Sequence, residues 1–249
     1  MATFSSFQDI LPDPNNYLSE AGSSQQGDAG ASLGPGFTSV KFSSKQPTMG
    51  TRTNSGRYIA RSIAAHSWNI DINYNSLTRA EFEPVFSFLM SRQGKLNPFF
   101  LELPQYLTSQ DSTFASSVVT NDVAIAEGSS VPAGRTYFRT SYSGSGTPRQ
   151  GDIFTITDAS NSNHTKAYQI TRVETQTDYN TTFDASTNPG SGQFRLHFSP
   201  PLVSATSDTS VLDFTEPRIR VIQSKDVQEY SLGVDGLYKF SLSVEEAAP

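Results

Sequence analysis

The stretch that decides the fold is "LMSRQGKLNPFFLELP", Leu89 to Pro104. An apolar helical stripe stops at a Gly, a short polar passage follows, and an aromatic strand opens that closes at Pro104. Immediately upstream, "SLTRAEFEPVFSFLMSRQG" supplies the start of that helix. Thr78 and Glu81 have the spacing of a capping box, in which each side chain serves the other's free backbone N–H. Phe82, Val85, Phe86 and Leu89 then recur at i, i+3, i+4 and i+7, one apolar face of a helix. Pro84 removes a backbone donor one turn in, so a kink there, or a start near Glu83, is expected. Gly94 is the expected left-handed residue that ends the helix, and Phe99 and Phe100 lead the strand beyond the corner.

Working outward, "HSWNIDINY" alternates cleanly. Trp68, Ile70, Ile72 and Tyr74 share one face, with Asn69, Asp71 and Asn73 on the other, the pattern of a half-buried strand. Near the C-terminus Ile219 and Val221 alternate with Arg218 and Arg220. Tyr238, Phe240, Leu242 and Val244 form a second period-2 face, entered through an Asp235-Gly236 hairpin turn. The core expected from these patterns is Trp68, Ile70, Ile72, Phe82, Val85, Phe86 and Leu89, with Gly94, Phe99 and Phe100 at the corner.

Between residues 105 and 213 the texture changes to Ser, Thr, Gly and Asn, with short strands "DIFTIT", "KAYQITRVE" and "QFRLHFSPP" between turn clusters. That reads as a small β-barrel or sandwich, the barrel preferred, inserted into a first domain made of residues 37–104 and 214–249. Its Asp and Glu outnumber its Lys and Arg, which favours an outer, solvated position. Residues 1–36 are Gly-, Ser- and Gln-rich after Pro12 and Pro14 and read as a flexible arm. Phe4, Phe7, Ile10, Leu11, Tyr17 and Leu18 in it are apolar enough to dock on a neighbour.

The bulk composition agrees. Across 249 residues only 17% are charged, while Phe numbers 17 and Tyr 10; a mainly β chain with one or two helices is expected, one of them the packed helix above. The absence of cysteine excludes disulfides, thiolate zinc sites and cysteine nucleophiles. A net charge of −6 argues against a duplex-binding surface. No apolar run is long enough for a membrane-spanning helix. The N-terminus has neither a basic nor an apolar segment of the secretory kind, so cytosolic synthesis is expected and the sequons at Asn163 and Asn180 read as chance matches.

The search for chemistry yields no catalytic, cofactor or metal residues. The P-loop, G-x-S-x-G and H-E-x-x-H patterns are missing. His66, His164 and His197 are far apart in sequence and read as structural or surface residues. "TDASNSNHT" from Thr157 fails as a calcium loop, with Asn163 where Gly is needed and Gln169 where Glu is needed; its Asp and Asn are expected to bond their own backbone. Glu81/Glu83 and Glu245/Glu246 read as solvated pairs rather than a glycosidase dyad. Trp68, Tyr137, Phe138 and Tyr142 are the aromatics that could form a sugar platform; Trp68 belongs to the core-facing set of its strand, and "TYFRTSYSGSG" is the more exposed by pattern.

Three passages together, "GRYIARSIAAHSWNIDINY", "LTRAEFEPVFSFLMSRQGKLNPFFLELP" and "DVQEYSLGVDGLYKFSLSVEE", resemble the phage distal tail and minor tail protein family. In that family a small β-sandwich carries one helix on its side, and the helix passes through a Gly into a strand with Phe and a closing Pro. The last strand ends in an acidic pair, as Glu245 and Glu246 do here. The long arm and the insertion depart from the shortest members. The resemblance implies a tail-tube-like fold without catalytic residues or cofactors. It also implies a hexameric ring at the distal end of the tail, in a baseplate or tail tip, continuing the channel through which DNA passes without specific binding. Partners would be further copies of the chain and other tube, hub or baseplate proteins, and the location the virion tail, assembled in the host cytoplasm without membrane insertion. A tail-tube or tube-initiator subunit and a host-glycan-binding tail module are the alternatives.

Overall fold

The computed structural model describes residues 10–12, 37–62, 66–161, 164–179, 188–215 and 217–247. Apart from Ile10, Leu11 and Pro12, the arm expected over residues 1–36 lies outside the described residues, as do both sequon asparagines. Among the described residues the elements begin with β1 (Phe37–Lys45), β2 (Thr48–Arg52), β3 (Tyr58–Ser62) and β4 (Ser67–Tyr74), followed by α1 (Arg79–Ser91) and β5 (Phe99–Glu102). A 3-10 turn at Pro104–Tyr106 and a second helix, α2 (Ser112–Val118), come next. Then follow β6 (Val123–Ile125), β7 (Tyr137–Tyr142), β8 (Ile153–Thr157), β9 (Tyr168–Thr175), β10 (Gln193–Ser199) and β11 (Val211–Asp213). The last strands are β12 (Arg218–Gln223), β13 (Tyr230–Leu232) and β14 (Tyr238–Glu246). The protein is mainly β.

The chain divides into two compact units, residues 1–101 with 220–248, and residues 102–219. The sequence places the crossings at 105 and 213, where a strand leaves the first domain and returns; the units divide within β5 and β12, which are neighbours in the first unit's sheet.

That sheet runs β1-β4-β14-β12-β5, with β13 also paired to β14. β4 pairs with β1 from Lys45↔Ser67 to Phe37↔Tyr74, and with β14 from Glu245↔Asn69 to Ser241↔Asn73. The two ends of the sheet are therefore distinct. Lys45 and Ser67 mark one, and the turn before Tyr238, held to Leu77 by paired backbone hydrogen bonds of 2.8 and 2.9 Å, marks the other. Trp68, Ile70, Ile72 and Tyr74 are buried, as are Phe240, Leu242 and Val244. Each fully buried Ile, Leu or Val adds roughly 1.5–3 kcal/mol. β14 is an interior strand with partners on both sides. Glu246, expected to be solvated at a frayed end, is buried instead, and its carboxylate accepts the Trp68 N–H at 3.1 Å.

α1 packs on this sheet. Glu81 accepts both the backbone N–H and the hydroxyl of Thr78, at 2.7 and 2.8 Å. This capping carboxylate is buried and not, as the paired-carboxylate reading had it, solvated. The helix starts at Arg79 with Pro84 inside it, so the start near Glu83 is corrected: the cap stabilises the first turn despite the missing donor. Phe82, Val85 and Leu89 are buried, while Phe86 is half-buried at the rim. Phe82 stacks on Tyr238 at 4.6 Å and meets Phe240 edge-on; Phe86 meets Tyr230 edge-on. The helix ends one residue earlier than expected. Gln93 takes the first left-handed position, with φ 55°, and Gly94 follows at φ 67°. A Cβ at Gly94 would lie 3.1 Å from Asp226 Oδ1, so glycine suits both the turn and the approach. Beyond it Phe99 is buried and Phe100 half-buried. Phe100 receives Ile10 as a parallel bridge, and its carbonyl accepts the Leu11 N–H at 2.8 Å.

The second unit is a closed antiparallel barrel, β10-β7-β6-β11-β8-β9. Its core includes Phe138, Phe154, Tyr168, Leu196, Phe198 and Phe214. α2, absent from the sequence reading, adds Phe114 to this core, and Asp111 accepts the Phe114 N–H at 2.9 Å as its N-cap.

Candidate assembly interface

One element serves neither core. β2 and β3 pair only with each other among the described strands, and every residue of β2 is exposed. Met49, Tyr58 and Ile59 are 65, 60 and 51% exposed. The hairpin turns at Thr53–Gly56, where Gly56 has φ 82° and its N–H donates to the Thr53 carbonyl at 2.9 Å. A lone two-stranded hairpin is marginal in water, and apolar side chains exposed on both of its strands mark a candidate contact surface. From Phe37 to Ile70 the sequence holds Lys41, Lys45, Arg52, Arg57 and Arg61 and no Asp or Glu. β1 is a sheet edge carrying two of these lysines, the charges that discourage unspecific strand addition. Lys41 lies 3.8 Å from Asp71 with both side chains largely exposed, a weak pair.

At the other end of the sheet, β13 is exposed at all three positions. Val227, Tyr230, Leu232 and Val234 are exposed there. Asp226, Glu229 and Asp235 accompany them, beside Lys225 and Lys239. The turn is the expected one: Gly236 has φ 76°, and the Leu237 N–H donates to the Asp235 carboxylate at 3.2 Å.

The residues singled out as chemical candidates are dispersed. His66 Nε2 bonds Ser44 at 3.0 Å, and its ring meets Trp68 edge-on. His164 is buried between the Tyr168 hydroxyl at 2.8 Å and the Ser204 hydroxyl at 3.1 Å. Burial pushes its imidazole below the ordinary value, against a smaller upward pull from Asp158. His197 sits 3.6 Å from Glu174. Asp158 does bond locally, to the Ser160 N–H and hydroxyl at 2.9 and 2.7 Å, but it also ties in the Ser207 N–H at 3.0 Å. Burial is the largest single influence and pushes its carboxyl up. The hydrogen bonds from Ser160 and Ser207 together outweigh it and hold the group well below the usual carboxylate range.

The sugar platform is corrected: Phe138 and Tyr142 are buried and Tyr137 is half-buried beneath Arg135 at 4.5 Å, while Trp68 is buried as its strand pattern requires. More than half of "TYFRTSYSGSG" is strand β7, in which Phe138, Thr140 and Tyr142 are buried in alternation, so the segment is not the exposed one expected. Sequence reading also missed the fully buried Arg195–Glu174 pair at 2.9 Å, because strand alternation gives no sign of an ion pair beneath a covered outer face. Removing one partner of such a pair costs about 3–5 kcal/mol. Among the described residues no group of three or more His, Asp or Glu is placed to hold a metal ion. No helix among them is long and apolar enough to cross a membrane. No protein-family model matches the chain, and no characterised protein matches it in sequence.

Proposed function

We propose that the chain is a structural subunit of a phage tail that assembles into a hexameric ring at the tail's distal end and continues the DNA channel. The inserted barrel then docks peripheral tail components. The observation that carries this reading is the β2–β3 hairpin, exposed along both strands where its side chains are described, with Met49, Tyr58 and Ile59 packed into neither core. Closed cyclic assembly satisfies such an element in every copy and leaves none unpaired. The capped helix on a sheet, the Gln93-Gly94 corner and the β13–β14 hairpin, the features on which the family resemblance rests, support the same reading. Negative-stain images of the purified chain test it. Rings with an open centre are expected, and a uniform field of compact single copies at all concentrations overturns it.

A further inference from the structure

We infer that the basic β2–β3 hairpin of one copy docks head-to-tail on the β13–β14 end of the sheet of the next copy. The inference rests on the ring reading for closure and adds the two surfaces that meet.

Three observations carry it. First, the two exposed apolar patches lie at opposite ends of one sheet. The hairpin leaves the sheet at Lys45 and returns at Ser67, whereas β13 and its turn precede Tyr238 beside Leu77, at the far end of β4. Patches at opposite ends of a subunit meet as unlike surfaces of successive copies, which is the arrangement that closes rings rather than twofold dimers. Second, the charges differ. Arg52, Arg57 and Arg61 stand on the hairpin with no acid nearby in sequence, so two hairpins facing one another repel. Asp226, Glu229 and Asp235 outnumber Lys225 and Lys239 at the other end, so a hairpin arriving there meets opposite charge. Third, both elements have strand edges to share. β13 uses one edge on β14, through Tyr230↔Phe240 and Leu232↔Tyr238, and its other edge meets no strand among the described residues. A hairpin strand added there continues the sheet from copy to copy through backbone hydrogen bonds, with Met49, Tyr58 and Ile59 near Val227, Tyr230 and Leu232.

Two single-residue variants test the contact by native mass spectrometry. Ile59→Asp damages the hairpin and Leu232→Asp damages the opposite end; both side chains are exposed, so the fold is retained, which circular dichroism checks. Each variant alone is expected to stay at the mass of one chain. Mixed one to one, they are expected to form a dimer and nothing larger, because one intact hairpin meets one intact end. If either variant loses its native spectrum, Met49→Asp and Val227→Asp, at two further exposed positions, replace the pair with the same expectations. A wild-type ring whose variants still assemble alone, or whose mixed variants remain single chains, overturns this contact and leaves the ring reading standing. A wild-type chain that never assembles overturns both.

Discussion

Asp158 shows how a single side chain here serves the fold instead of chemistry. Its carboxylate binds groups on two separated loops, Ser160 and Ser207, and those bonds favour the charged form over the cost of burial. A carboxyl whose folded value is depressed contributes stability above its unfolded value, near pH 4, and loses it as pH falls toward the folded value. Asp158→Asn is therefore expected to lower the melting temperature at pH 7, with the difference from wild type shrinking steadily below about pH 4. Melting curves from pH 7 to pH 2 check this, and a difference that stays constant over that range contradicts it. The local half of this arrangement was legible in "TDASNSNHT", since Asp and Asn favour bonding their own backbone. The half that reaches Ser207 was not, because nothing in the local sequence marks a partner 49 residues away.

Among the elements, α1 was the most legible, since its cap and its stripe agree with each other. Its error was one of depth. Spacing places Phe86 on the same face as Phe82, but the sheet beneath reaches only far enough to bury Phe82, Val85 and Leu89. Phe82→Ala is expected to cost about 3–5 kcal/mol, and Phe86→Ala clearly less. Urea unfolding of the two variants checks the order, and equal losses mean that the helix sits differently on its sheet. β1 escaped the sequence reading because its register shifts between Phe37 and Ser39, which breaks the alternation that makes β4 readable. β2 and β3 escaped it for another reason. Both carry little burial, and a strand with no buried face has no hydrophobic period to read. The element that best supports assembly is thus the one that single-chain patterning conceals.

At the scale of the whole molecule, the central claim is that the sheet unit builds the ring and the barrel is dispensable for it. The chain passes between units within β5 and β12, neighbouring strands of one sheet. Glu102 and Arg218, at the crossings, form an ion pair at 2.7 Å. Ends this close can be joined by a short loop, which is the condition under which inserted domains are tolerated and removed. The change of texture at residue 105 was legible because the barrel has its own Ser/Thr-rich turns. The closure of its six strands was not, since barrel closure is a property of pairing and leaves no local mark. The most direct measurement is the native mass of a variant in which residues 105–215 are replaced by a short Gly/Ser linker. The expected result is a folded protein with the same number of copies as the intact chain, six. A variant that folds but remains a single copy, while the intact 27.1 kDa chain forms rings, contradicts the claim and assigns assembly to the barrel.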